Sequence, residues 1–452
     1  MKIIIVGCGK VGLTLAQQLS QENHELTMID EDAYRLHRVT DSLDAMGIVG
    51  NGVNHVVLQE AGVETADLLI AVTGNDEKNL LCSVIARKAG HCQTIARIRN
   101  PIYNDEIEFL KREFGVAMII NPEYAAAEEI FRIFQFPSAI RVDSFAKGNV
   151  EFLQFKVIKD SPLIGKKLYQ MHQEFKLKVL IGTVIRGDEV IIPNGSYEFM
   201  EGDTVSVVAQ KMVAIEFFKI INMAKDRVRD VMIAGGGEIG FYLSKLLVNA
   251  GTGLTIIDND KERCEYLSTE IPDATIIYGD ATEQDLLIEE GLENVGGFAA
   301  LTGVDEENIL LSLYARDVST AKTVTRVDRG SFNSVINEMN LGSIIYPRII
   351  TSDSILKFVR SWNTDSDSEV ETLYKLADGK AEAVEFILKG DSSFLGIPLQ
   401  ALKFRPNTLI GCIYRNHQVI IPSGQDTLKA GDSVIVMMAG YRVSSIREIF
   451  EK

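Results

Sequence analysis

Residues 1–19 read MKIIIVGCGKVGLTLAQQL. An apolar run, Ile3-Ile4-Ile5-Val6, stops at Gly7-Cys8-Gly9-Lys10-Val11-Gly12 and passes into an apolar-periodic segment, Leu13 to Leu19. The order is strand, glycine turn, helix, with the G-x-G-x-x-G spacing of a dinucleotide-binding site. The first glycine permits a tight turn, the second lets the backbone approach a pyrophosphate, and the third lets helix and strand pack closely. Phosphates would then sit at a helix N-terminus, where unpaired N–H groups and the helix dipole favour negative charge. Glycine turns of this kind also occur in α/β proteins that bind nothing, so the motif gains weight only from its surroundings.

Those surroundings continue the pattern. A strand at 25–30 ends in Asp30, 18 residues past Gly12. An acid there can hydrogen-bond both hydroxyls of an adenosine ribose and would repel a 2′-phosphate, which favours NAD, ATP or ADP over NADP. Asp30-Glu31-Asp32 also suits a helix N-cap, and the two roles are compatible. Further strands at 45–49, 68–72 and 94–99 end near Asn51, at Thr73-Gly74 and at Arg97 to Arg99. Strands alternating with helices predict a doubly wound parallel sheet whose ligand crevice lies at the strand C-terminal ends, where Gly7, Asp30, Asn51 and Thr73 fall.

From about Phe145 the rhythm becomes that of a small α+β module. A half-buried strand at 150–155 is followed by a turn at 160–165 and a short helix, a hairpin across Arg186-Gly187-Asp188, and a Gly202-Asp203 turn into a last strand. Then the chain begins again. Gly235-Gly236-Gly237-Glu238-Ile239-Gly240 repeats the turn, and Asp258 repeats Asp30, both 228 residues on. Thr302-Gly303 and Arg326 repeat Thr73-Gly74 and Arg97 at an offset of 229. In the small module Ile181-Gly182 is echoed by Ile410-Gly411, and Gly202-Asp203 by Gly431-Asp432. The chain therefore reads as a tandem duplication: a large α/β lobe over 1–140, a small one over 141–225, then 226–360 and 361–452 in the same roles. The patch at 361–369, rich in Ser, Asp and Asn, reads as an acidic flexible linker.

Composition narrows the function. The 452 residues are 46% hydrophobic and 24% charged, as in a globular protein of several domains. A net charge of −17 disfavours nucleic-acid or anionic-lipid binding by bulk electrostatics. Five scattered cysteines and six histidines show no metal-ligand spacing, which predicts free thiols in a reducing cytoplasm and no metal. No run approaches the ~18 apolar residues of a membrane span.

These motifs resemble those of the TrkA potassium-uptake regulators, a family with tandem RCK (KTN) domains. The likeness rests on the turn from Gly7 to Gly12 with Asp30, the copy from Gly235 to Gly240 with Asp258, the A-V-T and A-L-T strand ends, and the I-I-P and G-D turns of both small modules. It implies a cytoplasmic subunit, peripheral on the inner face of the cell membrane, that forms a homo-oligomeric ring (a tetramer) on a membrane K⁺-translocating partner of the TrkH type. It implies no catalytic activity but binding of NAD(H) or ATP/ADP, so that the nucleotide gates the partner. By the same resemblance the nucleotide would meet Gly7, Cys8, Gly9, Lys10, Val11, Asp30, Thr73, Gly74 and Arg97 in the first lobe. In the second it would meet Gly235, Gly236, Gly237, Glu238, Ile239, Asp258, Thr302, Gly303 and Arg326. Some relatives bind a cyclic dinucleotide in a small lobe, and this sequence shows no clear match to that pattern.

The two copies differ in charge at three positions. Lys10, Asn51 and Arg99 of the first become Glu238, Asp280 and Asp328 of the second. If these side chains face phosphates, the first lobe should prefer the more anionic nucleotide. A NAD-dependent oxidoreductase is the alternative reading, but Lys166, Lys167 and His172 of one small module have Ile397, Pro398 and no histidine as counterparts. A proton donor placed for hydride chemistry is therefore not duplicated. A transcription regulator would need a basic DNA-binding segment, and none is recognisable.

Overall fold

The computed structural model describes residues 1–452 except 188, 224–227, 329–334, 337, 338, 340, 363–367, 377, 378, 391, 444 and 452. Most of the expected linker at 361–369 and Asp188 of the expected hairpin turn lie outside the described residues. The chain divides into two compact units, one formed by 1–130 and 229–356 and the other by 131–228 and 357–452.

The first unit holds two parallel sheets of identical topology. β1 (Lys2–Val6), β2 (Glu25–Asp30), β3 (Ala45–Val49), β4 (Leu68–Ala71), β5 (Gln93–Arg97) and β6 (Met118–Ile120) pair in the order β3-β2-β1-β4-β5-β6. The order reverses between β1 and β4, and a switch point of that kind opens the crevice in which open α/β sheets bind ligands. Ile3, Ile4, Ile5 and Val6 are all buried, as both faces of a parallel sheet require. On one face Ile4, Val6, Leu69 and Ala71 pack against Leu58, Cys82 and Ala86 of the covering helices.

The small module begins with β7 (Arg141–Phe145), β8 (Val150–Lys156), β9 (Leu180–Arg186), β10 (Glu189–Ile191) and β11 (Thr204–Ala209). The second large lobe follows as β12 (Asp230–Ala234), β13 (Gly253–Asp258), β14 (Thr275–Tyr278), β15 (Gly297–Ala300), β16 (Lys322–Arg326) and β17 (Ser343–Ile345), in the order β14-β13-β12-β15-β16-β17. The edge strands β6 and β17 escaped the sequence reading. Each is three residues long, too short to show a period.

The second unit holds two antiparallel sheets, β10-β9-β11-β8-β7 and, from β18 (Ser368–Leu376), β19 (Ala381–Leu388), β20 (Thr408–Arg415), β21 (Gln418–Ile420) and β22 (Ser433–Ala439), β18-β19-β22-β20-β21. They share one apolar core in which Phe145, Phe152 and Val208 of the first meet Ala383, Ile435 and Met437 of the second. The matched glycines have a physical reason. Gly182 and Gly411 sit at register shifts of β9 and β20, and a Cβ on either would fall 2.0–2.4 Å from the Met437 side chain. The matched aspartates have another. Asp203 receives both arms of the Arg186 guanidinium at 2.8 Å, and also the Tyr197 hydroxyl and the Met200 amide. Arg415 grips Asp432 in the same way at 2.7 and 2.6 Å.

Burial pushes the Asp203 carboxyl up, but Arg186, the Met200 amide and Tyr197 together outweigh it and hold it below its ordinary value of 3.8. A carboxyl held low stabilises the fold above the pKa of the unfolded chain and loses that contribution as the pH falls through the folded pKa. Acid unfolding followed by circular dichroism is therefore expected to steepen below about pH 4. Asp203→Asn should be less stable at neutral pH and show a weaker dependence in that window.

Candidate functional site

The turn after β1 is constrained by backbone contacts. Gly7 has φ +105° and its amide donates to the Ile29 carbonyl at 2.8 Å. A Cβ at Gly12 would lie 1.9 Å from the Gly7 carbonyl oxygen, so no side chain fits where the helix Lys10–Ser20 packs on its own turn. Gly9 is different: a Cβ there meets nothing within 4 Å. The second lobe repeats all three features. Gly235 has φ +103°, a Cβ at Gly240 would sit 2.4 Å from the Gly235 oxygen, and Gly237 faces open space.

Asp30 closes the turn from below. One carboxylate oxygen accepts from the Cys8 amide at 2.6 Å and the other from the Asp32 amide at 2.8 Å. Asp258 does the same for Gly236 and Asp260, at 2.6 and 2.9 Å. The helix N-cap is Asp32, not Asp30, since Asp32 accepts from the Tyr34 and Arg35 amides. Each carboxylate oxygen has a second lone pair, so Asp30 can hold the turn and still accept from a ribose hydroxyl. Cys8 is buried and its thiol is pushed up to about 12 by burial and by Asp30, so it is an inert part of the turn.

A cavity of about 550 Å³ opens above this turn. Gly7, Gly9, Lys10, Val11, Asp30, Asn51, Thr73, Gly74 and Arg97 line it, as do Ile239 and Arg326 of the second lobe. Cys8, Gly12 and Arg99 are outside its lining, as are the remaining second-lobe candidates. Around those, Arg263 lies over the glycine turn. Its Nε donates to the Gly236 carbonyl at 2.7 Å, it stands 3.5 Å from the Glu238 carboxylate, and it covers the Phe241 and Tyr266 rings. The counterpart in the first lobe, Arg35, pairs with Asp32 and leaves the turn open.

The three positions of unlike charge do different work. Lys10 reaches Asp328 of the other lobe at 3.3 Å. Asn51 and Asp280 each cap a local turn, accepting from Val53 and Thr282 amides. The Arg99 guanidinium donates to the Gly74 carbonyl at 2.7 Å. Asp328 is pushed up by burial, but Arg326 and Lys10 together more than offset this and leave it below its ordinary value.

Four pairs of residues matter that the sequence reading did not assign. Asn79 is fully buried; it accepts from the Thr73 amide and hydroxyl and donates to the Arg97 carbonyl, tying the ends of β4 and β5 together. Asn308 does this for Thr302 and Arg326. The signal was present, since both asparagines recur at the repeat offset. Asp76 accepts from the Arg99 and Asn100 amides, as Asp305 does from Asp328. Glu123 pairs with Arg97 at 2.7 Å, and Arg348 lies at the matching place in the second lobe. Arg35 and Arg263 complete the set. Arg97 Nε, Glu123 Oε2 and Arg348 Nε are buried without a hydrogen-bond partner among the described residues, and all three side chains border the cavity.

The fold and the cavity define a tandem, two-lobed Rossmann protein with its open site in the first large lobe. Residues 3–122 and 231–347 match the TrkA-N domain, and residues 152–222 and 383–451 the TrkA-C domain. The chain belongs to the TrkA family. It is 32% identical over 450 residues to the Trk system potassium uptake protein TrkA homolog of Archaeoglobus fulgidus, with both chains covered in full. It is 31% identical to the Trk system potassium uptake protein TrkA of Vibrio alginolyticus, covering all of this chain and 99% of that one. Among solved structures, the GsuK RCK domain covers 97% of this chain and 92% of its own at a TM-score of 0.64 and 17% identity. The GsuK channel bound to NAD gives the same score and identity over 97% of this chain and 77% of that one. These two likenesses establish the shared fold. No described helix is long and apolar enough to cross a membrane.

Replacing Asn79 by Ala removes the partner of two half-buried backbone groups, the Thr73 amide and the Arg97 carbonyl. Urea unfolding is expected to show a loss of about 2–6 kcal/mol, from one to three per orphaned group. Asn308→Ala should cost a similar amount.

Proposed function

We propose that this chain is the cytoplasmic regulatory subunit of a Trk-type potassium uptake system and that a nucleotide in the first large lobe controls its membrane partner. One observation carries the nucleotide reading. In a chain of net charge −17, the walls of the cavity above the first glycine turn hold six Lys and Arg side chains against four carboxylates. An anion there also meets the N-terminus of the helix Lys10–Ser20. Asp30 suits an adenosine ribose without a 2′-phosphate, which points to NAD(H), ADP or ATP. In the second lobe Arg263 lies on the turn, so a ligand there has to displace it. The 16-residue helix Pro347–Trp362 brings Arg348 to the first cavity, making that site sensitive to how the two large lobes are placed.

Membership of the family supports, as the partner in this reading, a membrane K⁺-translocating subunit of the TrkH type that carries a homo-oligomeric ring of this chain on its cytoplasmic side. A nucleotide shifts such an assembly only by binding two of its conformations unequally. Rb⁺ flux through the co-reconstituted membrane subunit, compared with NAD, NADH, ADP and ATP, tests the reading. At least one nucleotide should change the flux, and a flux indifferent to all four would overturn it. Gly9→Glu gives a sharper test. The side chain has room, so the unfolding midpoint without ligand should stay near wild type. Its carboxylate would face the phosphates, and calorimetric affinity should fall at least about fivefold, from a repulsion of ~1–4 kcal/mol.

A further inference from the structure

Within the first unit the two large lobes touch, and the charges at matched positions of the two are inverted. Lys10 of the first lobe meets Asp328 of the second at 3.3 Å. The matching positions carry Glu238 of the second lobe and Arg99 of the first, opposite charges that act on each other through space: Glu238 stands 3.5 Å from Arg263, while Arg99 donates to the Gly74 carbonyl at 2.7 Å and stands 3.9 Å from Asp76. Glu238 is half-buried and burial pushes its carboxyl up; Arg263 and Arg99 act on it in the opposite direction, while Glu123 and Asp76 add to the rise. Thus where one lobe has a cation beside its glycine turn and a cation after its fifth strand, the other has an anion at both places. Each cross-lobe pair is complementary only because both positions changed sign together.

The local setting makes this more than an exchange of surface charge. Lys10 occupies the first position of its helix, where the dipole disfavours a cation, whereas Glu238 is a favourable residue at the same place. The unfavourable choice is offset by Asp328. If two first lobes faced each other in this geometry, Lys10 would meet Arg99. If two second lobes did, Glu238 would meet Asp328. Like charges placed opposite each other discriminate against a wrong partner even when the correct pair itself contributes little. Glu123, the carboxylate that could relieve a Lys10–Arg99 encounter, is already engaged by Arg97 at 2.7 Å. Tyr242 adds a contact of one polarity: its hydroxyl donates to the Arg99 carbonyl and accepts from Asn121, both at 2.9 Å. The position matching Tyr242 in the first lobe is Thr14, which is too short to return that contact.

We propose that the inverted pairs Lys10–Asp328 and Arg99–Glu238 make the first large lobe select the second large lobe of its own chain and reject the like lobe of another copy. The chain then enters any larger assembly with its two large lobes already mated, and like lobes of neighbouring copies do not compete for the glycine-turn face.

The test uses the full-length chain without nucleotide, at low salt and at ~1 M salt, where screening acts over about 3 Å. Lys10→Glu and Asp328→Lys each set like charges opposite one another, and each should lower the unfolding midpoint by roughly 2–4 °C. The double variant restores a complementary pair of reversed polarity across the lobes but not the fork that Arg326 makes to Asp328 at 3.0 Å, so at low salt it should recover part of the Asp328→Lys loss, with that recovery shrinking at high salt. Single variants equal to wild type, or a double variant no better than the worse single, would overturn the proposal.

Selectivity is read separately with a photo-crosslinking amino acid at position 242. One chain carries Asp328→Arg and Glu238→Lys, so that both of its lobes are positive at these positions. The other carries Lys10→Glu and Arg99→Asp, so that both are negative. In a wild-type background the crosslink should stay within one chain. Co-expressed charge-uniform chains should give a crosslinked dimer containing both. If those chains crosslink only internally, as wild type does, the charges do not select the partner. Should they fail to accumulate, the charge-reversal cycle decides alone.

Discussion

The helix that opens each large lobe rests on its own glycine turn with no space for a side chain between them. At Gly12 the gap to the Gly7 carbonyl is 1.9 Å from where a Cβ would stand, and at Gly240 the gap to Gly235 is 2.4 Å. That approach directs the helix N-terminus across the end of β1, and the Asp30 carboxylate locks it by holding the Cys8 and Asp32 amides. The open space at Gly9 is the product of these constraints. Loosening the packing at Gly12 would tilt the helix and move the N–H groups on which anion binding depends.

Around that fixed point the lobes keep their strand order while their side chains differ. Both sheets keep the same strand order, and both keep the Asn79/Asn308 tie between the fourth and fifth strands. What differs is what lies over the turn. Arg35 leans away to Asp32, while Arg263 bends back to Gly236 and Glu238. Two copies of one glycine turn thus differ by a few charged residues, which leave the first uncovered and cover the second. The first cavity also takes part of its wall from the second lobe, so its shape depends on how the two large lobes are placed.

In the small lobes the duplicated signals proved to be structural. Gly182 and Gly411 accommodate Met437 at register shifts, and the G-D turns bury an aspartate under an arginine fork. The arginines, Arg186 and Arg415, stand 17 residues before their partners, a separation at which a hairpin and a turn must both form before the pair exists. Such an interaction ties the ends of each small module together.

Much of this architecture was legible from residue order. The strand–turn–helix opening, its repetition 228 residues later, the acid ending the second strand and the alternation of two kinds of module are all local patterns, and local sterics enforce them. The edge strands β6 and β17 were not legible because three residues carry no period. The charge differences between the copies were visible, but their meaning was not. Lys10 and Asp328 are 318 positions apart, and only folding both lobes into one unit brings them to 3.3 Å. Sequence alone therefore determined the duplicated strand–glycine-turn–helix scaffold, because close backbone packing at Gly12 and Gly240 leaves glycine no substitute. The tertiary structure alone decided which cations line the cavity and which also meet the other lobe, because electrostatic partners are set by distance in space.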